Sequence, residues 1–229
     1  MKTWIMACLL ALGTTVSASS ANFSYLVGAT IPDGDLTGYQ NSQSVGGLSG
    51  AITAVNVTLN ISGGFNGDFY AFLTHNGATA ILLNRVGHSA NQAVGYPDAG
   101  FGTDIAGNSF TLDDQAAQDV HSYRSLSYTL NASGQLTGQW QPDGRAIDPL
   151  SPGGAFDTAG RSGMLSVFNG SDPNGVWSLF VADVSAGGEG TLAGWGLAIT
   201  TVPEPGAVSL LGSALVGLLC FRKAGRRRC

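Results

Sequence analysis

Apolar and polar residues alternate along several short runs of this chain, and a period of two residues marks a half-buried strand. Val176–Val184 (VWSLFVADV) carries the clearest alternation. Trp177, Leu179, Val181 and Asp183 fall on one side of it, and Val176, Ser178, Phe180 and Ala182 on the other. Ala51–Ile61 is rich in β-branched residues and alternates in part. Asp68–Thr74 and Ala78–Leu83 read as two further strands, joined by His75-Asn76-Gly77, whose Asn-Gly favours a tight hairpin turn. Ser125–Leu130 and Met164–Phe168 are shorter candidates, and Leu192–Thr200 is the last strand. Between the runs lie clusters of Gly, Asn, Asp and Ser. Asp172-Pro173-Asn174-Gly175 has the residue order of a type I turn. No helical period of useful length occurs outside the two ends. The pattern predicts an all-β body, a β-sandwich or jelly roll. Val86–Gln118 and Gly138–Gly163, poor in clear strands, are predicted to be long surface loops with short strand pieces inside them.

Composition fits that picture. Of 229 residues, 34 are Gly and only 11% are charged, against typical usage of about 7% Gly and about 25% charged. The glycines follow no collagen-like repeat, so they supply turns. The charge is unevenly placed. Apart from Lys2 and the C-terminal cluster, the basic residues are Arg85, Arg124, Arg145 and Arg161, whereas nearly all the acids lie between Asp33 and Glu189. The body is therefore markedly acidic, which argues against nucleic acid as a partner. Cys8, Cys220 and Cys229 all lie in the terminal segments, so the body has to fold without disulfides or thiolate metal sites.

Each end carries a processing pattern. Residues 1–21 read as a secretory signal peptide, with Lys2 as the basic start, Trp4–Leu12 as the apolar stretch and small residues after it. Cleavage fits either Val16-Ser17-Ala18 or Ser19-Ser20-Ala21. At the other end Pro203-Glu204-Pro205 precedes an apolar stretch, expected to be a transmembrane helix over residues 207–221. The basic cluster Arg222, Lys223, Arg226, Arg227 and Arg228 follows it. By the positive-inside rule this cluster would stay cytoplasmic and leave the body outside. Residues 202–229 resemble the PEP-CTERM sorting signal of Gram-negative bacteria, with its three parts in the same order. The resemblance implies recognition of Pro203, Glu204 and Pro205 by a membrane exosortase. Cleavage near the box and transfer from the inner membrane to the cell surface or extracellular matrix would follow. In that reading the chain is the substrate of the sorting reaction.

A second resemblance covers roughly Ile31 to Thr200 of the body, residues 22–201, strongly at the end and loosely in the middle. Asp172–Ile199 (DPNGVWSLFVADVSAGGEGTLAGWGLAI) is similar to the end of a P domain, or Homo B domain, found beside subtilisin-like proprotein convertases. Val57–Arg85 is similar to the same family's order of strand, Gly-Asp, strand, Asn-Gly turn and strand. The resemblance implies an eight-stranded jelly roll and, in some members, bound calcium. No protease domain accompanies it here, so the family's role beside a protease does not transfer, and fold by itself does not give function.

Chemistry in the body is sparse. His75, His88 and His121 lack zinc-ligand spacing and read as solvated loop residues. Asp113, Asp114 and Asp119 form the densest acidic group, without EF-hand spacing, and read as a solvated loop. Asp68, Asp172 and Asp183 lie in the P-domain-like pattern and are the candidate calcium ligands. Asp183 stands out because its strand turns it toward the core, where a carboxylate needs a partner. Trp140, between Gly138 and Asp143, is a candidate exposed aromatic for stacking on sugars. The expectation is an exported, non-catalytic surface or matrix protein whose body is an adhesion or binding module, with extracellular polysaccharide as a partner. The alternative is an exported hydrolase acting on polysaccharide or protein.

Overall fold

The computed structural model describes residues 17–202. The expected signal-peptide core, the Pro203-Glu204-Pro205 box, the 207–221 helix and the basic cluster lie outside these described residues. The described chain is an all-β structure of two sheets. Its strands are β1 (Ser19–Ile31), β2 (Asp35–Val45), β3 (Ala51–Gly63), β4 (Phe69–His75), β5 (Ala78–Asn84), β6 (Gly100–Phe101), β7 (Thr111–Leu112), β8 (Gln139–Trp140), β9 (Gly175–Asp183) and β10 (Gly190–Val202). One sheet runs β1-β10-β3-β7-β8, with β6 also paired to β3; the other runs β2-β9-β4-β5. All pairings between these strands are antiparallel except β7 with β8.

The alternation read from the sequence decides which face of each strand is inside. On β9, Trp177, Leu179, Val181 and Asp183 are fully buried, whereas Val176 on the opposite face is 55% exposed. On β3 the inward set is Val55, Val57, Leu59 and Ile61, and on β10 it is Trp195, Leu197 and Ile199. Phe69, Phe101, Phe110 and Tyr123 fill the space between the sheets. Burying a large apolar side chain of this kind contributes about 1.5–3 kcal/mol. The β4–β5 hairpin turns at Asn76 (φ 46°) and Gly77 (φ 80°). Both backbones lie in the left-handed region that a tight two-residue turn requires.

Several expectations are corrected. β1 and β2 are two strands that the sequence pattern does not predict. β1 starts at Ser19 and pairs with β10 from Ser19↔Thr201 onward. Met164–Phe168 is not a strand: Leu165–Phe168 is a 3-10 turn, and the Asp114 carboxylate accepts the backbone N–H groups of Leu165 and Ser166 at 2.9 and 2.7 Å. Ser125–Leu130 likewise forms no strand and follows a second 3-10 turn, Val120–Ser125. The stretches read as surface loops with short strand pieces, 86–118 and 138–163, do hold such pieces, β6, β7 and β8, but also a short helix, α1 (Gly153–Thr158). They carry core residues such as Phe101, Phe110 and Phe156, so much of their length is packed interior.

Candidate functional site

The first candidate is the outer face of the larger sheet. Because Trp195, Leu197, Val57, Leu59, Leu112 and Trp140 point inward, their neighbours in sequence point out. Strand pairing aligns Ser24, Gly196, Thr58, Thr111 and Gln139 in one row across five strands. At a strand spacing of about 4.8 Å that row is roughly 19 Å long. Thr58 and Thr111 hydroxyls lie 3.4 Å apart within it. Gly196 permits the close approach. A Cβ there would stand 2.8 Å from the Phe23 carbonyl oxygen, beside the Ser24 and Thr58 side chains.

Two shallow grooves of about 470 and 410 Å3 meet along this face and share Ser109. Asn108, Thr111, Thr129 and Gln139 line one; Asn22, Ser24, Thr58 and Asn60 line the other. Asp104 is the one ionisable carboxylate in either lining, and its oxygens already accept from the Ala106 and Asn108 backbone and the Asn108 amide. Those bonds hold its carboxyl below the usual range, led by the Asn108 side chain. Tyr128, 37% exposed, supplies an aromatic ring at one groove. Trp140, the candidate exposed aromatic, is buried, and its indole N–H donates to the Thr137 carbonyl at 2.9 Å. The inward placement of Trp140 is not legible in the sequence, because β8 is a two-residue strand without a readable alternation.

The second candidate is the acidic end of the sandwich. β4 and β9 pair with Phe69 opposite Asp183, which brings Asp68 next to Asp183. Asp183 Oδ1 accepts from the Ser185 N–H at 3.1 Å, while its buried Oδ2 has no partner. Burial, reinforced by Asp68 and Asp33, raises its carboxyl to about 6. Asp68 is also raised by burial, against the pull of the Ser185 hydroxyl and Arg85. Arg85 Nη2 approaches Asp68 Oδ1 at 3.9 Å.

Asp172, the third expected calcium ligand, is not brought to this site. It precedes β9, whereas Asp183 ends it, so the strand separates them by roughly 25 Å. Asp172 is exposed and serves its turn, accepting from the Asn174 N–H at 2.9 Å and the Asn174 amide at 2.7 Å. Asp68 and Asp183 alone do not supply the several oxygens calcium takes. Among the described residues no group of three or more His, Cys, Asp or Glu side chains has an arrangement able to hold a metal ion.

All three histidines are buried, contrary to the solvated-loop expectation. His75 stacks on Trp177 with ring centroids 3.9 Å apart. His88 packs edge-on against Phe156, and burial together with nearby Arg85 lowers its basicity. His121 joins a charged cluster that sequence reasoning missed. Its Nδ1 lies 2.6 Å from Asp143 Oδ2, and its Nε2 lies 3.1 Å from the His88 carbonyl. Arg145 bridges Asp119 and Asp143 at 3.0 and 3.3 Å, and Arg161 donates to the Asp143, Pro142 and Gln141 oxygens. In an acyl-transfer triad the second imidazole nitrogen faces a nucleophile; here a backbone carbonyl takes that place. The cluster ties loop 138–163 to the Val120–Ser125 turn. Asp119, read as part of a solvated group, is one of its members.

No family model and no curated protein matches the chain. Among solved structures, the serine protease of Aeromonas sobria resembles it with a TM-score of 0.42 and 12% identity over 83% of this chain. The same protease in complex with its chaperone gives 0.40 and 14% over 82%. In both, the match spans 28% of the other chain.

Proposed function

We propose that this chain is an exported, non-catalytic protein of the cell surface or extracellular matrix, and that its body binds neutral polysaccharide on the outer face of the larger sheet. The observation that carries the binding reading is the row Ser24-Gly196-Thr58-Thr111-Gln139 with its flanking grooves. Hydroxyl and amide side chains offer paired donors and acceptors to sugar hydroxyls. Tyr128 offers a ring face, and a groove with almost no ionised groups suits an uncharged polymer. The body's fold is read as a P-domain-like jelly roll, in keeping with the two-sheet arrangement and the β4–β5 hairpin.

Export and sorting rest on the terminal sequences: a signal peptide, then the Pro203-Glu204-Pro205 box, an apolar stretch and the basic cluster, with an exosortase as the processing partner. Cleavage after Ala18 is favoured over cleavage after Ala21, because it leaves β1 whole from Ser19.

The test is made on protein recovered from the native surface fraction. Its intact mass is expected to begin at Ser19 and end near Pro203-Glu204-Pro205, and it is expected to be retained on neutral polysaccharide gels. A product that keeps Arg222–Cys229 in the membrane overturns the sorting reading. Equal mobility with and without polysaccharide overturns the binding reading.

A further inference from the structure

The acidic end holds a feature that the sheet-face reading does not use. Asp33, Asp68 and Asp183 influence one another there, and Arg85 is the cation that faces them. Asp33 is exposed and already accepts the Gly187 and Gly188 N–H groups, so the buried pair Asp68 and Asp183 is left with one guanidinium, and buried carboxylates need compensation. The Asp68 side chain is only 9% exposed, and Arg85 reaches it at 3.9 Å, too far for a hydrogen bond. Behind it, Asp183 is 0% exposed, with Oδ2 unpartnered.

In front of Asp68 opens a pocket of about 290 Å3. Its walls are carbon-rich: Phe65, Val94, Tyr96 and Pro97, with Ser185 and Ala186 at the edge. Phe65 and Val94 are 40% and 68% exposed, an unusual outlay of apolar surface beside a carboxylate. Close packing fixes the walls. A Cβ on Gly67 would stand 2.4 Å from the Val94 carbonyl oxygen, and one on Gly87 2.5 Å from the Tyr96 ring. The pocket is smaller than most drug-sized sites and matches one long side chain or a small amine.

We propose that this pocket binds an organic cation, an ammonium or guanidinium carried on an apolar stem, with its charge against Asp68 and its stem between Phe65, Val94 and Tyr96. Walls of this kind offer a bare metal ion few oxygens, whereas they suit a methylene chain. A free amine and a Lys or Arg side chain of a peptide present the same chemistry. The site is independent of the polysaccharide face and stands or falls without it.

The test follows amide shifts of Gly95, Tyr96, Ser185 and Ala186 in the 15N-labelled folded chain at pH 7.5. The titrants are n-pentylammonium, its neutral isostere 1-pentanol, calcium, and the capped tripeptide Gly-Lys-Gly. Saturable shifts at millimolar pentylammonium are expected, with at least tenfold weaker binding by pentanol. Asp68→Asn is expected to weaken binding at least tenfold. Val94→Arg, a rim substitution outside the core, is expected to do the same by placing a guanidinium at the mouth. The unchanged melting temperature of Val94→Arg separates lost binding from lost folding. Shifts with the tripeptide assign the natural ligand to a peptide side chain; shifts with pentylammonium alone assign it to a small amine. Equal binding of pentanol, shifts with calcium but not with ammonium, or no shift at these four amides would each overturn the proposal.

Discussion

Asp183→Asn should stabilise the protein at neutral pH, although it removes a charge from the most strongly patterned strand. The carboxyl is 0% exposed, Oδ1 accepts one backbone N–H, and Oδ2 accepts none. Burial raises it from 3.8 to about 6. A carboxyl that is harder to ionise in the folded state adds stability that is complete below pH 3.8 and lost as the pH rises through about 6. At 1.36 kcal/mol per unit, the loss is on the order of 3 kcal/mol at pH 7.5. Asparagine copies the protonated acid in shape and keeps the oxygen that receives the Ser185 N–H, so the variant escapes this loss. For a domain of this size the gain corresponds to a melting temperature about 6–12 °C higher. The assay is thermal unfolding of parent and variant at pH 7.5 and pH 4.5, in chelator and again in millimolar calcium. The gap should be large at pH 7.5 in chelator and small at pH 4.5. A parent that overtakes the variant only when calcium is present would identify a cation on Oδ2. A variant that melts below the parent in chelator at pH 7.5 would refute the reasoning, because the ionised carboxylate would then be earning a favourable contact.

The remaining predictions concern other parts of the fold. Asp143→Ala, which leaves Arg145 and His121 without their buried partner, should cost about 3–5 kcal/mol by denaturant unfolding. Phe101→Ala should cost about 3–5 kcal/mol by the same measurement, since the ring is fully buried against Phe69 and Phe110. Gly100→Ala should lower the melting temperature markedly. Its φ is +97°, and a Cβ would stand 2.1 Å from the Ile61 carbonyl oxygen, which forces β6 away from β3. Tyr128→Ala combined with Gln139→Ala should weaken retention on neutral polysaccharide gels and leave the melting temperature nearly unchanged, because both side chains are exposed.

Some of this was written plainly in the chain. The alternation of β9 named its inward face, including Asp183, and Asn76-Gly77 named the hairpin. These are local signals: a two-residue period and a turn that needs left-handed backbone depend only on neighbours in sequence. Strand β1 was harder to read, because its first residues look like the small-residue end of a signal peptide. Met164–Phe168 has strand-like composition, yet a distant carboxylate, Asp114, accepts the N–H groups of its 3-10 turn.

The sites depended more heavily on three dimensions. Sequence alone pointed to Asp68, Asp172 and Asp183 as a set, but an extended strand holds its ends far apart, so only Asp68 and Asp183 meet. The polar row on the larger sheet draws one residue from each of five strands scattered between Ser24 and Gly196, and only their pairing register aligns them. The histidines looked like loop residues because the stretches that carry His88 and His121 have no period. Those stretches fold inward through Asp143, Arg145 and Phe156, contacts between residues far apart in the chain. The sequence determined which residues face the core wherever a strand was long enough to show its period. The tertiary structure decided which polar residues became neighbours, because strand register and loop packing join positions that no local pattern relates.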